Sequence, residues 1–437
     1  MINRLKKSFR ALANKNYRLF FFGQGCSLIG TWMQNIALAW LVYRLTHSVF
    51  LLGLVSFLSQ IMIFVLSPFA GVITERVNRK HLLIITQVLS MFQAFVLAAL
   101  IYTNLITVWQ IILLSLFLGT VVAFDATARQ SFVIQTVNHK KDLSNAIALN
   151  SSAFQVARLI GPGLAGIIIN IWGEGFCILL NAVSYLAIIG SLILIKIKHQ
   201  KQKKIQVKIL SELKEGFSYA YNFLPIRYIL LLIAAFSLIG MQYTVLMPAY
   251  AEDILHKGPE TLGLLMCAAG LGAFLGAAYM ATRKNVRGLS KIIAVATIIF
   301  SISLFILAFI KTLWLAALFI GVSGFGMMLV MASCNTMLQT LVDDDKRSRI
   351  MSIYTMAFLG MSPFGSLIAG CFANYFKVPL TLFFSGLICF LFSLIFLFYL
   401  PKFRGLVRPV YIKLGIIPEI NQAINMACEL KEISKEE

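Results

Sequence analysis

The sequence predicts an all-α integral membrane protein with twelve transmembrane helices in two pseudo-symmetric six-helix bundles. Three observations predict this fold class: the apolar composition, the number of long apolar runs, and short matches between the two halves of the chain. Of the 437 residues, 59% are hydrophobic and 13% are charged, whereas a soluble domain carries about 25% charged residues. The composition therefore indicates a protein that lies within a lipid bilayer.

Long apolar runs define the predicted spans. A helix needs about 20 predominantly apolar residues to cross the hydrocarbon core of a bilayer. Twelve such runs occur, and we number them as predicted spans 1 to 12: residues 19–43, 49–73, 82–103, 107–128, 145–170, 174–195, 228–250, 260–281, 291–310, 313–338, 350–375 and 378–400. Span 1 follows a basic segment directly and is too long for the core of a signal peptide.

Short matches at a nearly constant offset relate the two halves. The letters SLIG at 27–30 recur at 237–240, and Pro162 has a counterpart in Pro363, which gives offsets of 210 and 201. Such matches favour a duplicated six-helix unit, the usual build of secondary transporters. The longest polar interruption separates the halves, and its second part, 207–221, predicts an amphipathic helix on the membrane surface.

The basic residues predict the orientation. If the amino terminus is cytoplasmic, the cytoplasmic side holds 33 of the 38 Lys and Arg residues, the outer side holds 4, and Arg158 lies inside a span. The positive-inside rule then places both termini in the cytoplasm. The same distribution accounts for the net charge of +21, so we expect no binding of nucleic acid.

The spans and the orientation divide the chain into five segments. These are a cytoplasmic N-terminal segment (1–18), an N-terminal six-helix bundle (19–195), a cytoplasmic basic linker with an amphipathic helix (196–227), a C-terminal six-helix bundle (228–400) and a cytoplasmic tail (401–437).

Between spans 2 and 3 the sequence GVITERVNRKH, residues 71–81, packs an acid and three bases between apolar runs. It resembles the loop signature of the major facilitator superfamily, G-x-x-x-D-[RK]-x-G-[RK]-[RK], with Glu75 as the acid and Asn78 in place of the second glycine. Asparagine tolerates left-handed backbone better than other non-glycine residues, so this replacement is a mild departure from the signature.

The resemblance implies a conformational latch, and a plain basic loop is the alternative. In the superfamily the glycine lets span 2 approach span 11, the acid caps a helix amino terminus in the other half, and the first base pairs with an acid at the end of span 4. Such contacts form in one access state and break in the other. The expected latch residues are Gly71, Glu75, Arg76, Arg79 and Asp125.

Span 5 carries a second motif. The letters ARLIGPGLAG, residues 157–166, resemble the antiporter signature G-x-x-x-G-P-x-x-G-G and keep Gly161, Pro162 and Gly166. Small residues let membrane helices approach closely, and proline bends a helix. Within the superfamily, GTWMQNIALAWLVYRLT (30–46), FDATARQSFV (124–133) and ALNSSAFQVARLIGPGLAG (148–166) resemble the branch that contains the enterobactin exporter and the macrolide efflux permeases.

Arg158 is the most informative single residue. It lies eleven residues into span 5, counted from residue 147, or roughly 16 Å along the helix, which is about half the hydrocarbon thickness. An arginine at that depth is a functional hypothesis by default. Either it faces an aqueous cavity and binds an anionic or oxygen-rich solute, or it ties span 5 to the carbonyls of neighbouring helices.

Other polar residues lie on spans that line the central cavity in the superfamily fold. Span 1 carries a polar stripe at helical spacing. A mostly apolar lining with scattered amides and hydroxyls suits an amphipathic solute better than a sugar, because each unpaired buried polar group is unfavourable by about 1–3 kcal/mol. With Arg158, the expected binding residues are Gln24, Ser27, Thr31, Gln34, Gln242 and Asn335.

The resemblance implies a secondary active transporter of the bacterial inner membrane that exports an amphipathic small molecule, either a siderophore-like metabolite or a drug, by alternating access. The sequence contains no phosphate-binding loop, so we expect proton-coupled antiport. Some members carry an acid where this chain has Thr31, and threonine cannot carry a proton in that way. We expect no cofactor and no metal, and the partners to be the solute, the proton gradient and the lipid bilayer around a monomer.

Two alternatives remain open at this point. Some related carriers flip lysophospholipids, and a laterally open groove between spans 2 and 11, or between spans 5 and 8, would favour that activity. A membrane-embedded enzyme or a receptor is the remote alternative, since neither a catalytic constellation nor an appended sensor domain is evident.

Overall fold

The architecture comes from a computed structural model, which describes residues 10–137, 140–196, 209–283, 285–343, 346–414 and 416. The described part of the chain is helical and contains no strand. Nine of its helices are long and apolar enough to cross a membrane. The prediction of an all-α membrane protein is therefore confirmed. The first nine residues, most of the linker before residue 209 and the tail from 417 lie outside the described residues.

Thirteen α-helices follow one another along these residues. The first five are α1 (Lys15–Thr46), α2 (Val49–Arg76), α3 (Arg79–Tyr102), α4 (Val108–Thr136) and α5 (Lys140–Leu194). The other eight are α6 (Ile209–Asn222), α7 (Leu224–Ala235), α8 (Tyr243–Ala249), α9 (Pro259–Thr282), α10 (Leu289–Leu307), α11 (Leu313–Leu341), α12 (Arg347–Thr355) and α13 (Met361–Lys413). Three π-helical segments continue α7, α8 and α12: Phe236–Gly240, Tyr250–Ile254 and Met356–Gly360.

Two of the long helices are broken. Helix α5 has non-helical backbone at Gly173, where φ is 81°, a conformation that glycine adopts without steric cost. Helix α13 has a similar break at Lys377, where φ is 61°. We call 140–172 and 174–194 the first and second arms of α5, and 361–376 and 378–413 those of α13. The breaks lie where the sequence predicts turns between spans 5 and 6 and between spans 11 and 12.

The turns divide the bundle into two ends. Residues 47–48, 103–107, 173, 255–258, 308–312 and 377 turn at one end, which we call the outer end after the predicted orientation. Residues 77–78, 285–288 and 342–343 belong to the opposite, inner end. At the outer end, Arg44 of α1 pairs with Glu174 of α5 at 2.7 Å. At the inner end, Arg349 of α12 pairs with Glu215 of α6 at 2.6 Å, which fastens the linker helix to the second half.

Asn78 stands where the signature has its second glycine. Its φ of −67° and ψ of 111° are extended and not left-handed. Its side-chain oxygen accepts hydrogen bonds from the backbone N–H groups of Lys80 at 3.0 Å and His81 at 3.4 Å. Asparagine is among the preferred N-cap residues, and here it caps the start of α3.

The two halves meet along two helix pairs. The first arm of α5 packs against α9, and α2 packs against α13, while α1 packs against α5 within the first half. These contacts leave a central space between the halves, which holds the candidate site.

Candidate functional site

A cavity of about 500 Å³ lies between the two halves. The first half contributes α1, α2 and the first arm of α5, and the second half contributes residues 241–245, α9, α11 and residues 358–366. Most lining side chains are apolar. The polar ones are Asn35, Ser56, Ser59, Gln60, Arg158, Gln242, Thr244, Ser362 and Ser366.

Of the residues that the structure describes, Arg158 is the only charged side chain on this lining. Its guanidinium carbon lies 5.8 Å from the ring centroid of Trp32, within the range of a cation–π contact. Among the described residues, no carboxylate forms a salt bridge with it. Arg158 is half-buried, and burial of a charge is unfavourable unless it is paired, so the cavity favours a solute that supplies negative charge.

Small residues hold Arg158 in this position. A Cβ atom at Gly270 of α9 would lie 2.9 Å from the backbone oxygen of Arg158, so α9 packs directly on the backbone there. A Cβ atom at Gly161 would lie 2.6 Å from Cβ of Trp32, which brings α1 equally close to α5. The expected motif residue Pro162 also lines the cavity. Gly161 of the motif and Gly270 of α9 therefore hold the backbone beside the arginine close to α1 and α9.

A chain of hydrogen bonds crosses from one half to the other beside the cavity. Gln60 Nε2 donates to Ser56 Oγ at 3.0 Å, and Ser56 Oγ donates to Ser366 Oγ at 3.2 Å. In the second half, Ser366 Oγ donates to Gln242 Oε1 at 2.7 Å. Gln242 Nε2 in turn donates to the backbone oxygen of Ser237 at 2.7 Å, inside a π-helical segment. The sequence identified Gln242 but missed Ser56, Gln60 and Ser366.

The halves are in backbone contact toward the outer end. A Cβ atom at Gly263 of α9 would lie 2.6 Å from the oxygen of Pro162 and 2.8 Å from Cα of Gly166 in α5. A Cβ atom at Gly53 of α2 would lie 3.0 Å from Cα of Gly370 in α13. Neither pair of helices leaves room for a side chain, so these contacts close the space between the halves.

Polar contacts reinforce this closure at the outer end. The hydroxyl of Tyr43 in α1 donates to Asp253 Oδ2 at 2.5 Å. One residue before that acid, Glu252 lies 3.6 Å from Nδ1 of His47. Both contacts join the first half to the π-helical segment that follows α8.

The contact between α2 and α13 ends before the inner end. Gly360 lies just before α13, and a Cβ atom there would meet the ring of Phe64 in α2. This is the innermost close contact that a glycine makes between α2 and the second half. At the expected latch residue Gly71, a Cβ atom would have no heavy atom within 4 Å. The described structure is therefore closed at the outer end and separated at the inner end of α2.

The expected latch residues are not all brought together. Asp125 is 4% exposed and accepts hydrogen bonds from Thr86 Oγ1 at 3.1 Å and Gln87 Nε2 at 2.6 Å. Its ionic partner is Arg129, one turn along the same helix. Arg76 is exposed and forms no salt bridge with Asp125 in the described residues.

The remaining charged positions of the loop have other surroundings. Arg79 is half-buried at the start of α3, and the side chain of Glu75 lies outside the described residues. Lys80 Nζ donates to the backbone oxygens of Ile193 at 3.2 Å and Ile195 at 2.8 Å. A lysine at this place neutralises the free carbonyls at the end of a helix, here the second arm of α5.

The polar stripe of α1 faces the interior of the first half and does not line the cavity. Gln34 Nε2 donates to Gln93 Oε1 at 3.1 Å, and Asn181 Nδ2 donates to Gln34 Oε1 at 2.6 Å. The three amides therefore bond to one another, although Nε2 of Gln93 has no hydrogen-bond partner among the described residues. The other expected binding residues absent from the lining are Gln24, Ser27, Thr31 and Asn335.

Local hydrogen bonds account for several of these positions. Thr31 Oγ1 donates to the backbone oxygen of Ser27 at 2.9 Å, within α1. Asn335 Oδ1 accepts from Gln339 Nε2 at 3.0 Å, one turn along α11. The cavity face of α1 carries Trp32, Asn35 and Ala39 instead.

Comparisons with known proteins agree with this architecture. The chain is 24% identical over 392 residues to the Staphyloferrin A transporter of Staphylococcus aureus, covering 89% of this chain and 97% of the relative. It is 21% identical over 391 residues to the Multidrug efflux pump Tap of Mycolicibacterium fortuitum, with coverage of 86% and 93%. A POT family transporter solved in complex with 5-aminolevulinic acid has a similar fold, with a TM-score of 0.71 at 12% identity over 89% of this chain and 96% of that one.

The family match spans nearly the whole sequence. A family described as transmembrane secretion effector matches residues 6–407. The relatives named above carry transporter and efflux names, and none of those names describes an enzyme. The chain therefore belongs to the transmembrane secretion effector family of the major facilitator superfamily and is a membrane transporter.

Proposed function

We propose that this transporter exports an anionic, amphipathic small molecule by alternating access between the two halves. The observation that carries the proposal is Arg158, a cation without a carboxylate partner in the described residues, on the lining of a mostly apolar central cavity. The arginine attracts the charged part of the solute, and the apolar lining accommodates the rest. The sequence predicted an amphipathic solute; the positive charge of Arg158 is the reason to propose that this solute is also anionic.

The transporter has twelve spans and both termini in the cytoplasm of a bacterial cell, within the inner membrane. Nine long apolar helices support this count when α1 is added and the two broken helices, α5 and α13, are each counted twice. The orientation is supported by the 33 basic residues on the side predicted to be cytoplasmic.

The closed outer end and the separated inner end of α2 support loading from the cytoplasm. In the reverse state the inner ends approach and the outer contacts between Gly263 and Gly166 open. The proton gradient drives this cycle, with about 2.3 kcal/mol available per charge per 100 mV from its electrical part. No acid of the described ranges lines the cavity, so we place the proton elsewhere, on buried Asp125.

The latch residues act in the state that is open to the outside. Gly71 then packs on α13, Glu75 caps a helix of the second half, and Arg76 moves toward Asp125 and competes with Arg129. The open space beside Gly71 supports this assignment, since a latch must be released when the inner end is open.

A double-mutant cycle tests the latch. Arg76→Ala and Asp125→Ala are expected to reduce transport by amounts that are not additive, because each removes the same interaction. Lys15→Ala and Asp125→Ala form the matched control, since Lys15 is an exposed base at the inner end of α1. Losses that simply add for Arg76 and Asp125, as they should for Lys15, would contradict the pairing.

A siderophore-like metabolite is the first candidate for the solute and a drug the second. The likeness to the Staphyloferrin A transporter supports the first, and the likeness to the Multidrug efflux pump Tap supports the second. Lysophospholipid flipping is the alternative activity. The separation of α2 from α13 beside Gly71 at the inner end favours it, whereas the glycine contacts that close both helix pairs toward the outer end count against it.

Comparing a deletion strain with its parent tests the proposed function. Under iron limitation we expect the deletion strain to retain an anionic metabolite that the parent secretes. Export should return with the wild-type chain and not with Arg158→Ala. Identical secreted metabolites, together with unchanged drug susceptibility, would contradict an export function.

A further inference from the structure

A second cavity, of about 230 Å³, lies on the membrane-facing side of the second half. It is a groove between α7, α10 and the second arm of α13. Its lining is strongly aromatic and includes Tyr228, Phe236, Phe392, Phe396, Tyr399 and Phe403. Phe392 is 46% exposed, so the groove opens toward the lipid and not toward the central cavity.

Basic residues surround the inner end of this groove. Arg227 precedes the lining residue Tyr228, and Lys402 and Arg404 flank the lining residue Phe403. Arg404 Nε donates to Ser290 Oγ of α10 at 3.5 Å, which draws its guanidinium between two of the three helices. The sequences of α7, α10 and the second arm of α13 contain no Asp or Glu, so no acid of these helices offsets the positive charge.

The back of the groove is a segment that also reaches the central cavity. Phe236 begins the π-helical segment Phe236–Gly240. A Cβ atom at Gly240 would lie 3.3 Å from Sγ of Cys389, a groove residue. On its other side the segment accepts the hydrogen bond from Gln242, which lines the central cavity. One thickness of helix therefore separates the two cavities.

We propose that an anionic phospholipid of the inner leaflet occupies this groove. One acyl chain lies against Phe392 and Phe396, and the phosphate lies beside Arg404, whose guanidinium reaches Ser290 of α10, with Lys402 adding positive charge nearby. Basic residues next to a membrane span attract anionic lipid head groups, and the aromatic groove supplies a fixed place for the chain. The occupant is a resident lipid and not the transported solute, because the groove is separated from the central cavity.

Quenching of a tryptophan by brominated lipid tests this site. Phe392→Trp places the reporter in the groove of the full-length protein, reconstituted in phosphatidylcholine, and the emission of the five native tryptophans is subtracted. We expect dibrominated phosphatidylglycerol to reach half-quenching at a mole fraction about fivefold lower than dibrominated phosphatidylcholine, as one or two basic contacts would produce. Equal mole fractions for the two lipids would overturn the proposal.

Matched variants separate the site from general lipid contact. Leu391→Trp lies at nearly the same depth on an exposed position outside the groove, so both lipids should quench it equally. Lys402→Gln with Arg404→Gln should abolish the preference seen by the reporter in Phe392→Trp. Lys15→Gln with Arg18→Gln, two exposed bases of α1, should preserve it. A preference that survives the loss of Lys402 and Arg404 would overturn the assignment of the phosphate.

Discussion

Replacing Arg158 with alanine is expected to abolish export while the protein still reaches the membrane. The substitution removes the charge that the described part of the chain places on the lining of the central cavity. Losing one member of a desolvated charge interaction weakens binding by about 2–5 kcal/mol. Transport at low solute concentration should therefore fall by at least about thirtyfold, measured as efflux from cells or uptake into everted vesicles.

Two variants separate the charge of Arg158 from its volume. Arg158→Lys keeps the charge but loses the planar fork of donors that suits carboxylates, so it should retain part of the activity. Asn35→Ala changes a neutral residue of the same cavity and should have a much smaller effect. Normal efflux by Arg158→Ala at normal expression would return the arginine to a purely structural role.

A second large effect is expected for Gly263→Val at the outer contact between α5 and α9. Even a Cβ atom there would lie 2.6 Å from the oxygen of Pro162 and 2.8 Å from Cα of Gly166. Both are backbone atoms that cannot rotate away, so the outer ends must separate. Overpacking of this kind is unfavourable by about 1–3 kcal/mol, which corresponds to a roughly 5- to 150-fold shift between two states.

Distances between spin labels measure that shift. Labels at the outer ends of the two halves should lie farther apart in Gly263→Val than in the wild-type chain, and transport should be reduced. Gly190→Val is the matched control, since a Cβ atom at Gly190 would meet nothing within 4 Å. Unchanged distances in Gly263→Val would show that this glycine contact does not hold the outer end closed.

The membrane fold could be predicted from features that lie within short stretches of the sequence, such as apolar runs and the turns between them. Apolar runs identify spans by length alone, and the breaks at Gly173 and Lys377 fall between predicted spans. The π-helical segments were not predicted, because a one-residue change in hydrogen-bond register leaves the hydrophobic pattern of the helix unchanged. We did not predict that Asn78 caps α3, because asparagine is also a suitable substitute for the second glycine of the loop signature.

The cavity lining was only partly predictable. Arg158 was identified because a charge at membrane depth is rare, whatever helix it faces. The stripe through Gln24 and Gln34 shows the limit of periodicity: it marks a polar face but not the helix that covers that face. Gln34 turned out to pair with Gln93 and Asn181 in the first half. Ser56 and Ser366 lie 310 positions apart, and only the packing of the halves brings them together.

The central claim is that the cavity opens to the two sides of the membrane in turn. Measuring the accessibility of one cavity residue from each side tests it most directly. In protein whose seven native cysteines are replaced, Ser59→Cys places a thiol on the cavity lining. A membrane-impermeant thiol reagent should label it at least tenfold faster from the cytoplasmic side than from the outside. In the Gly263→Val background the ratio of the cytoplasmic rate to the outside rate should fall by about 5- to 150-fold. The same ratio of rates in both backgrounds would contradict alternating access to this cavity.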